Sequence, residues 1–254
     1  MKVTIIGAGN VATHLALAIK KAGHEIVQIY NRSDDAGKEL AHTVGAQFTS
    51  DAAQLKDADV YLIAVKDDVI SEVAAHLRMG DKVVAHTSGT KSKDLLKTGS
   101  SNYGIFYPLQ TLSRQTKVDF RYVPLLVEAS NEATVKKLEE LASSISNNVY
   151  RVDEEQRQWI HIAAVFANNF TNHLFALSEG ILQKRGMQFD MLKPLIFKFL
   201  QNLHENSPAD IQTGPAARKD TQTIQQHLKL LEGDKRLHQI YEVLTDSIIK
   251  GTKD

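Results

Sequence analysis

The stretch Ile5-Ile6-Gly7-Ala8-Gly9-Asn10-Val11-Ala12 decides the fold. An apolar β-branched run precedes its two glycines, and a segment with helical periodicity follows them to Ala22. A G-x-G-x-x-A spacing between a strand and a helix is typical of a dinucleotide-binding turn. Gly7 allows the tight turn, Gly9 lets the backbone approach a pyrophosphate, and Ala12 permits close helix–strand packing. The alternative is a plain glycine turn between a strand and a helix.

Strands and helices alternate through the first 152 residues. Because apolar strands alternating with helices imply a covered parallel sheet, we predict an α/β fold, a Rossmann-type doubly wound, mostly parallel sheet. The predicted strands are 3–6, 26–30, 47–49, 60–65, 82–86, 103–107, 123–128 and 149–152, and the predicted helices are 11–22, 33–44, 68–77 and 132–144.

From Asp153 onward the strand pattern stops. Asp153 and Gln156 have capping-box spacing, which predicts one long helix over 154–185, and Asp190 is expected to cap the next helix. Residues 1–152 are thus predicted to bind a dinucleotide, and residues 153–254 to form an all-α C-terminal domain that binds substrate and pairs two copies into a homodimer. The predicted helices of this domain are 154–185, 190–204, 221–231 and 235–250.

The composition excludes several classes of protein. Thirty basic residues balance 30 acidic ones, so no global field favours nucleic acid or an anionic membrane. The 254 residues include no cysteine, which excludes disulfides, thiolate catalysis and thiolate-bound metals. The ten histidines show no metal-binding spacing, and no apolar run is long enough to span a membrane. We expect no metal and a cytoplasmic location.

The end of the second strand bears on the choice between NAD and NADP. NAD-binding proteins usually carry an acid there for the ribose 2′-hydroxyl, but this strand ends in Tyr30-Asn31-Arg32-Ser33. Asn31, Arg32 and Ser33 can instead hold a 2′-phosphate, which favours NADP(H). The alternative is that Ser33 caps the next helix and Arg32 is a solvated charge.

The fourth and fifth strands end in Ala64-Val65-Lys66-Asp67-Asp68 and His86-Thr87-Ser88-Gly89. Ligands of open α/β sheets bind at such carboxyl ends, so Ser88 and His86 could reach a nicotinamide or a substrate. The alternative is that Asp67 or Asp68 caps a helix and Ser88-Gly89 forms a turn. The predicted cofactor-binding residues are Gly7, Gly9, Asn10, Val11, Ala12, Asn31, Arg32, Ser33, Ala64, Val65, Lys66 and Thr87.

Together these motifs resemble the NADP-binding half of the 6-phosphogluconate-dehydrogenase-like superfamily. The nearest relatives by resemblance are pyrroline-5-carboxylate reductase, ketopantoate reductase and the deazaflavin-dependent NADP oxidoreductases. Later stretches are similar to a branch that joins a Rossmann-like domain to a helical one and is labelled as NADP oxidoreductase, and the resemblance covers essentially the whole chain. These stretches are Phe106–Thr111, His161 with Phe166–Asn169, and Thr213–Pro215 with Arg218 and Asp220.

One departure from that superfamily concerns its catalytic lysine. Related dehydrogenases place Lys-x-x-x-Asn on the long helix after the Rossmann domain, whereas this chain has Asn168 and Asn172 at that spacing. A lysine-based mechanism is therefore not expected. At 100° per residue His161, Asn168 and Asn172 share one helix face, which suggests a polar stripe lining a cleft. His161 could be a general acid, or a buried structural histidine with the asparagines bonded across a dimer.

Three further residues are candidates for binding substrate. Tyr107 and Gln110 follow the sixth strand, and Arg218 lies in a polar loop that could clamp a carboxylate. We predict catalytic roles for His161, Asn168, Asn172 and Ser88 in an NADP(H)-dependent oxidoreductase that moves a hydride to or from a small C=O or C=N substrate. The alternative is a non-catalytic NADP(H)-binding sensor or scaffold.

Overall fold

The computed structural model describes residues 1–251. The chain divides into two compact units, Met1–Ala167 and a second that starts at Asn168. The first unit contains one sheet, in which neighbouring strands are parallel except β6 and β7. The strand order is β3-β2-β1-β4-β5-β6-β7-β8, with β1 (Lys2–Ile6), β2 (Glu25–Tyr30), β3 (Gln47–Thr49), β4 (Val60–Ile63), β5 (Gly80–His86), β6 (Ser100–Pro108), β7 (Leu125–Ala129) and β8 (Val149–Arg151).

Helices connect the strands of the first unit, and one more helix follows the last strand. They are α1 (Asn10–Lys21), α2 (Asp34–Val44), α3 (Ile70–His76), α4 (Glu132–Ile145) and α5 (Glu154–Ala164). Helix α1 buries Ala12, Leu15, Ala16 and Ile19, which have the i, i+3, i+4, i+7 spacing of one helix face. All four residues of β4 are buried, as expected for a central parallel strand. The predicted Rossmann-type α/β fold followed by a helical region is confirmed.

The second unit is helical, with α6 (Thr171–Gln183), α7 (Lys193–Glu205), α8 (Thr221–Leu231) and α9 (Lys235–Gly251). Its start differs from the predicted long helix over 154–185, because Val165–Phe170 is π-helical. A π segment inserts extra residues per turn, so the 100° arithmetic that placed His161, Asn168 and Asn172 on one face does not hold across it.

Asp153 and Asp190 are the two acids predicted to cap helices of the C-terminal region. The capping box of Asp153 and Gln156 is present at the start of α5, as expected. Asp190 does not cap α7, since it lies inside a 3₁₀ turn, Phe189–Leu192, and pairs with Lys193 at 2.7 Å. The predicted domain boundary at 152/153 lies before α5 and stays a prediction.

Candidate active site

Gly7 forms the turn after β1 and has a conformation that other residues rarely adopt. Its φ is +116°, and a Cβ built on it would lie 2.3 Å from the carbonyl oxygen of Ala64 and 3.2 Å from Val65 Cγ1. Both features require glycine. Because the strand order reverses between β1 and β4, this turn also lies at the topological switch point where open α/β sheets bind ligands.

Gly9 has a different reason to be glycine. A Cβ built on Gly9 would meet nothing within 4 Å, so packing among the described residues does not demand its small size. Gly9 is the N-cap of α1 and provides no side-chain cap, which leaves the first amides of the helix for an anion. Asn10 is exposed, Val11 half-buried and Ala12 buried at that start. These residues fit the diphosphate of a dinucleotide.

Asn31, Arg32 and Ser33 follow β2, where the adenosine ribose of such a ligand binds. The Arg32 side chain is 85% exposed, and Glu72 at 4.0 Å is its ion-pair partner. Ser33 is the N-cap residue of α2, but its side chain makes no capping hydrogen bond to the described residues. Asn31 donates from Nδ2 to the Ser33 carbonyl at 2.7 Å, and this hydrogen bond closes a turn over Asn31–Ser33.

Ser88 and its neighbours form a tight turn after β5, which we call the 88–92 turn (Ser88–Ser92). The Ser88 hydroxyl donates to Asp67 Oδ2 at 2.7 Å and accepts the amides of Thr90 and Lys91 at 3.1 and 3.0 Å. The Thr90 hydroxyl donates to the same Asp67 oxygen at 3.0 Å. This geometry favours the turn-forming role of Ser88 over the predicted catalytic one, because its hydroxyl is used by Asp67 and by two amides of the turn.

His86 is fully buried and anchors the same turn. Its Nδ1 accepts the Ser88 amide at 3.2 Å, and its Nε2 lies 3.1 Å from the Ser92 carbonyl. Burial lowers the pKa of His86 to about 4, and the nearby Arg157 contributes in the same direction. His86 is therefore a neutral structural residue. Thr87 next to it is buried and bonds the Ile63 carbonyl, while Lys66 is exposed.

Tyr107 and His161 meet at the carboxyl end of the sheet. Tyr107 is the penultimate residue of β6 and not a residue after the strand, and His161 lies on α5. The phenol oxygen is 2.9 Å from His161 Nδ1. A Cβ built on Gly89 would lie 2.7 Å from that nitrogen and 2.8 Å from Tyr107 Cζ, so only glycine leaves room for the pair. Burial, followed by the charge of Asp67, raises the pKa of Tyr107, which keeps the phenol protonated.

Sequence reasoning missed the residues that join α5 to the 88–92 turn. Arg157 donates to the Gly89 carbonyl, Glu154 accepts from the Ser92 hydroxyl, and Gln158 donates to the Thr90 carbonyl. With His161 they occupy positions i, i+3, i+4 and i+7 of α5. That spacing was readable in the sequence as a polar helix face, which begins two turns before the stripe we predicted.

The other predicted catalytic and substrate residues are exposed. Gln110 is exposed and accepts the Thr111 amide on its own side-chain oxygen. Asn168, Asn172 and Arg218 are exposed residues of the second unit. In residues 1–251 no group of three or more His, Cys, Asp or Glu could hold a metal ion. No helix in that range has the length and hydropathy needed to cross a bilayer.

A Rossmann-type sheet, a dinucleotide turn and a titratable pair at the carboxyl edge of the same sheet define the class of nicotinamide-dependent oxidoreductases. Residues 2–88 match the family model "NADP oxidoreductase coenzyme F420-dependent", and residues 123–248 match a domain of unknown function, DUF2520. None of the curated proteins matches the chain.

Solved structures identify the family. A protein from Bacteroides fragilis named as a putative NADP oxidoreductase is 39% identical over 98% of both chains, with a TM-score of 0.89. The chain belongs to this family of NADP oxidoreductases, and NADP(H) is its cofactor. Pyrroline-5-carboxylate reductase from Streptococcus pyogenes (15% identical, 98% of both chains, TM-score 0.67) shares the fold. So does a reductive aminase from Aspergillus terreus in complex with NADPH and ethyl levulinate (14% identical, 100% of this chain and 96% of that one, TM-score 0.73).

Proposed function

We propose that this oxidoreductase reduces a small molecule carrying a C=N or C=O group, and that the Tyr107–His161 pair supplies the proton. The observation that carries the proposal is the 2.9 Å contact between the phenol oxygen of Tyr107 and His161 Nδ1. This contact lies at the carboxyl edge of the sheet, as does the dinucleotide turn. Structural relatives named for imine chemistry, pyrroline-5-carboxylate reductase and reductive aminase, support the C=N class.

The proposed chemistry needs one hydride and one proton. NADPH supplies the hydride to the carbon when it is bound. The bond electrons then move to the nitrogen or oxygen, which takes the proton of the Tyr107 hydroxyl and gives an amine or an alcohol. Tyr107 is suited to this because it stays protonated at neutral pH. His161, which is half-buried and so in reach of solvent, returns a proton to the phenolate.

The test is NADPH oxidation by the purified protein with a panel of cyclic imines, oxo acids and an oxidised deazaflavin. We expect turnover of an imine or carbonyl compound, and Tyr107→Phe should lower kcat about 100-fold while NADPH binding is unchanged. Tyr122→Phe is the matched control, because Tyr122 is 71% exposed. NADPH binding without turnover of any panel member, or full activity in Tyr107→Phe, would contradict the proposal. Turnover of the deazaflavin alone would assign the hydride to a different acceptor.

Catalytic roles for Asn168 and Asn172, substrate binding by Gln110 and Arg218, and a cytoplasmic location remain predictions. Substitution of each residue to alanine separates the possible roles through KM and kcat. We expect a residue that binds substrate to raise KM, and a residue that orients the reacting atoms to lower kcat. Unchanged KM and kcat in a variant would show that the substituted residue has no role in the site.

We also propose that a second copy of the chain covers the apolar surface of the second unit. Helices α6 and α7 bury none of their residues, and Leu195 and Phe197 are 68% and 67% exposed. Such a surface is unfavourable in water. Sedimentation equilibrium should show a dimer that Phe197→Glu dissociates and that the neighbouring control Lys198→Glu leaves intact. A monomeric wild-type protein would contradict this proposal.

A further inference from the structure

Arg157 is a buried arginine in the first unit that the function described above does not use. Its side chain is 0% exposed, and it lies on α5 one turn before His161. Removing a guanidinium from water is costly unless its charge and its donors are matched by partners. The contacts of Arg157 therefore indicate why the chain keeps a cation there.

The charge of Arg157 is balanced by Glu128 on β7. Arg157 Nε donates to Glu128 Oε2 at 3.3 Å, and Glu128, itself only 7% exposed, also accepts from Lys93 Nζ at 2.5 Å. Two cations thus share one carboxylate. Arg157 Nη2 is buried without a hydrogen-bond partner among the described residues. Glu128 therefore accounts for the charge of Arg157 but not for all of its donors.

The remaining contacts of Arg157 lead to the 88–92 turn. Its Nη1 donates to the carbonyl of Gly89 at 2.9 Å and lies 3.4 Å from the carbonyl of Ser88. Gly89 is also the residue at which a Cβ would clash with both Tyr107 and His161. One arginine therefore fixes the backbone against which the phenol and the imidazole are aligned, and it does so from the same helix face that carries His161.

We propose that Arg157 is a positioning residue that holds the 88–92 turn against α5 and so keeps Tyr107 in hydrogen bond with His161. The catalytic meaning of this role rests on the proposed function, but the geometric role does not. Arg157 touches neither ring by a hydrogen bond among the described contacts, and it acts through Gly89. Its loss is expected to misplace the pair without removing either member.

The test uses the imidazole NMR signals of His161 in the full-length protein without cofactor, assigned with His161→Gln. Arg157→Lys keeps the buried charge but cannot span Glu128 and Gly89 as a planar guanidinium does, and Arg157→Met removes the charge. In both variants we expect the His161 signals to move toward those of Tyr107→Phe, in which the hydrogen bond is absent by construction. Arg151→Met is the matched control, because Arg151 is an exposed arginine paired with Glu132 and Glu139.

Kinetics give a second readout if an imine or carbonyl substrate is found. We expect Arg157→Lys to lower kcat about 100-fold with an unchanged KM for NADPH, since small misplacements of reacting groups have effects of that size. Wild-type His161 signals in a folded Arg157→Lys protein would overturn the proposal. So would unfolding of both Arg157 variants, which would make Arg157 a residue of stability alone. Full activity of Tyr107→Phe would overturn the proposed proton supply and leave the NMR result to decide this inference.

Discussion

The phenol oxygen of Tyr107 lies 2.9 Å from Nδ1 of His161, although the two residues are 54 positions apart in the chain. Their rings are tilted by 58°, with centroids 5.9 Å apart. The missing side chain of Gly89 makes this approach possible, because a Cβ there would clash with both rings. The pair is therefore a product of three segments: strand β6, helix α5 and the 88–92 turn.

Gly89→Ala should separate the pair. A Cβ 2.7 Å from His161 Nδ1 must displace the imidazole, so we expect an activity loss of about 100-fold and a destabilisation of about 1–3 kcal/mol. Gly180→Ala in α6 is the control, because a Cβ there meets nothing within 4 Å and helix propensity predicts a gain of about 0.5–1 kcal/mol. Urea unfolding and kcat measure the two effects, and a fully active Gly89→Ala protein would show that the contact is dispensable.

Substitution of the two glycines of the dinucleotide turn should affect different properties of the protein. Gly7→Ala places a Cβ 2.3 Å from the Ala64 carbonyl at a φ of +116°, so the protein itself should lose stability. Gly9→Ala meets no described atom within 4 Å, so its stability should be unchanged while its affinity for NADPH falls about tenfold or more. Melting curves with and without NADPH distinguish the outcomes. Normal NADPH affinity in Gly9→Ala would place the diphosphate elsewhere.

Arg32→Ala tests recognition of the 2′-phosphate. Arg32 is 85% exposed, and the first acid after β2, Asp34, is paired with Lys38 at 2.8 Å. We expect NADPH to bind about tenfold more weakly in Arg32→Ala, with NADH binding unchanged. Glu72→Gln serves as a control for loss of the Arg32 ion pair alone. Isothermal titration with both dinucleotides gives the answer, and equal losses for NADH and NADPH would assign Arg32 to another part of the cofactor.

Stability should fall in mild acid because of His86. Its pKa is about 4 in the folded protein against an ordinary histidine value of 6.5, so the native state binds fewer protons than the unfolded one between these values. The contribution of His86 to the free energy of unfolding is therefore fully present above pH 6.5. It is lost as the pH falls toward 4, by as much as about 3 kcal/mol. The difference in unfolding free energy between pH 7.5 and pH 5 should shrink in His86→Gln. An identical pH dependence in the variant would mean that other groups dominate.

Most of the first unit could be predicted from periodicity and turn chemistry. Strand β3 begins and ends at the predicted residues, and α4 differs from its predicted end by one residue. The capping box of Asp153 and Gln156 could be predicted because it involves neighbours in sequence. These features depend on local spacing, which a single sequence carries.

The site could be predicted only in part. His161 and Tyr107 were identified separately, but their contact depends on the packing of α5 against β6, which no local pattern encodes. The π segment Val165–Phe170 changed the phase of the predicted stripe, and Arg157 stayed hidden because its partner Gly89 lies 68 positions away. A buried ion network forms only after the chain has folded, and its members resemble ordinary charged residues in the sequence.

The antiparallel pairing of β6 and β7 places the connection between these strands at the end of β6 that carries Tyr107. Pro108 at the end of β6 pairs with Leu125 at the start of β7, so the connection between them leaves and returns at the edge beside Tyr107. Within that connection, Arg114 reaches the carbonyl of Ala8 in the dinucleotide turn. Insertions there can alter the surroundings of the reacting groups without shifting either strand. Relatives that have acquired new substrates should therefore differ most in the length and composition of this segment, while β5, β6 and α5 keep their spacing.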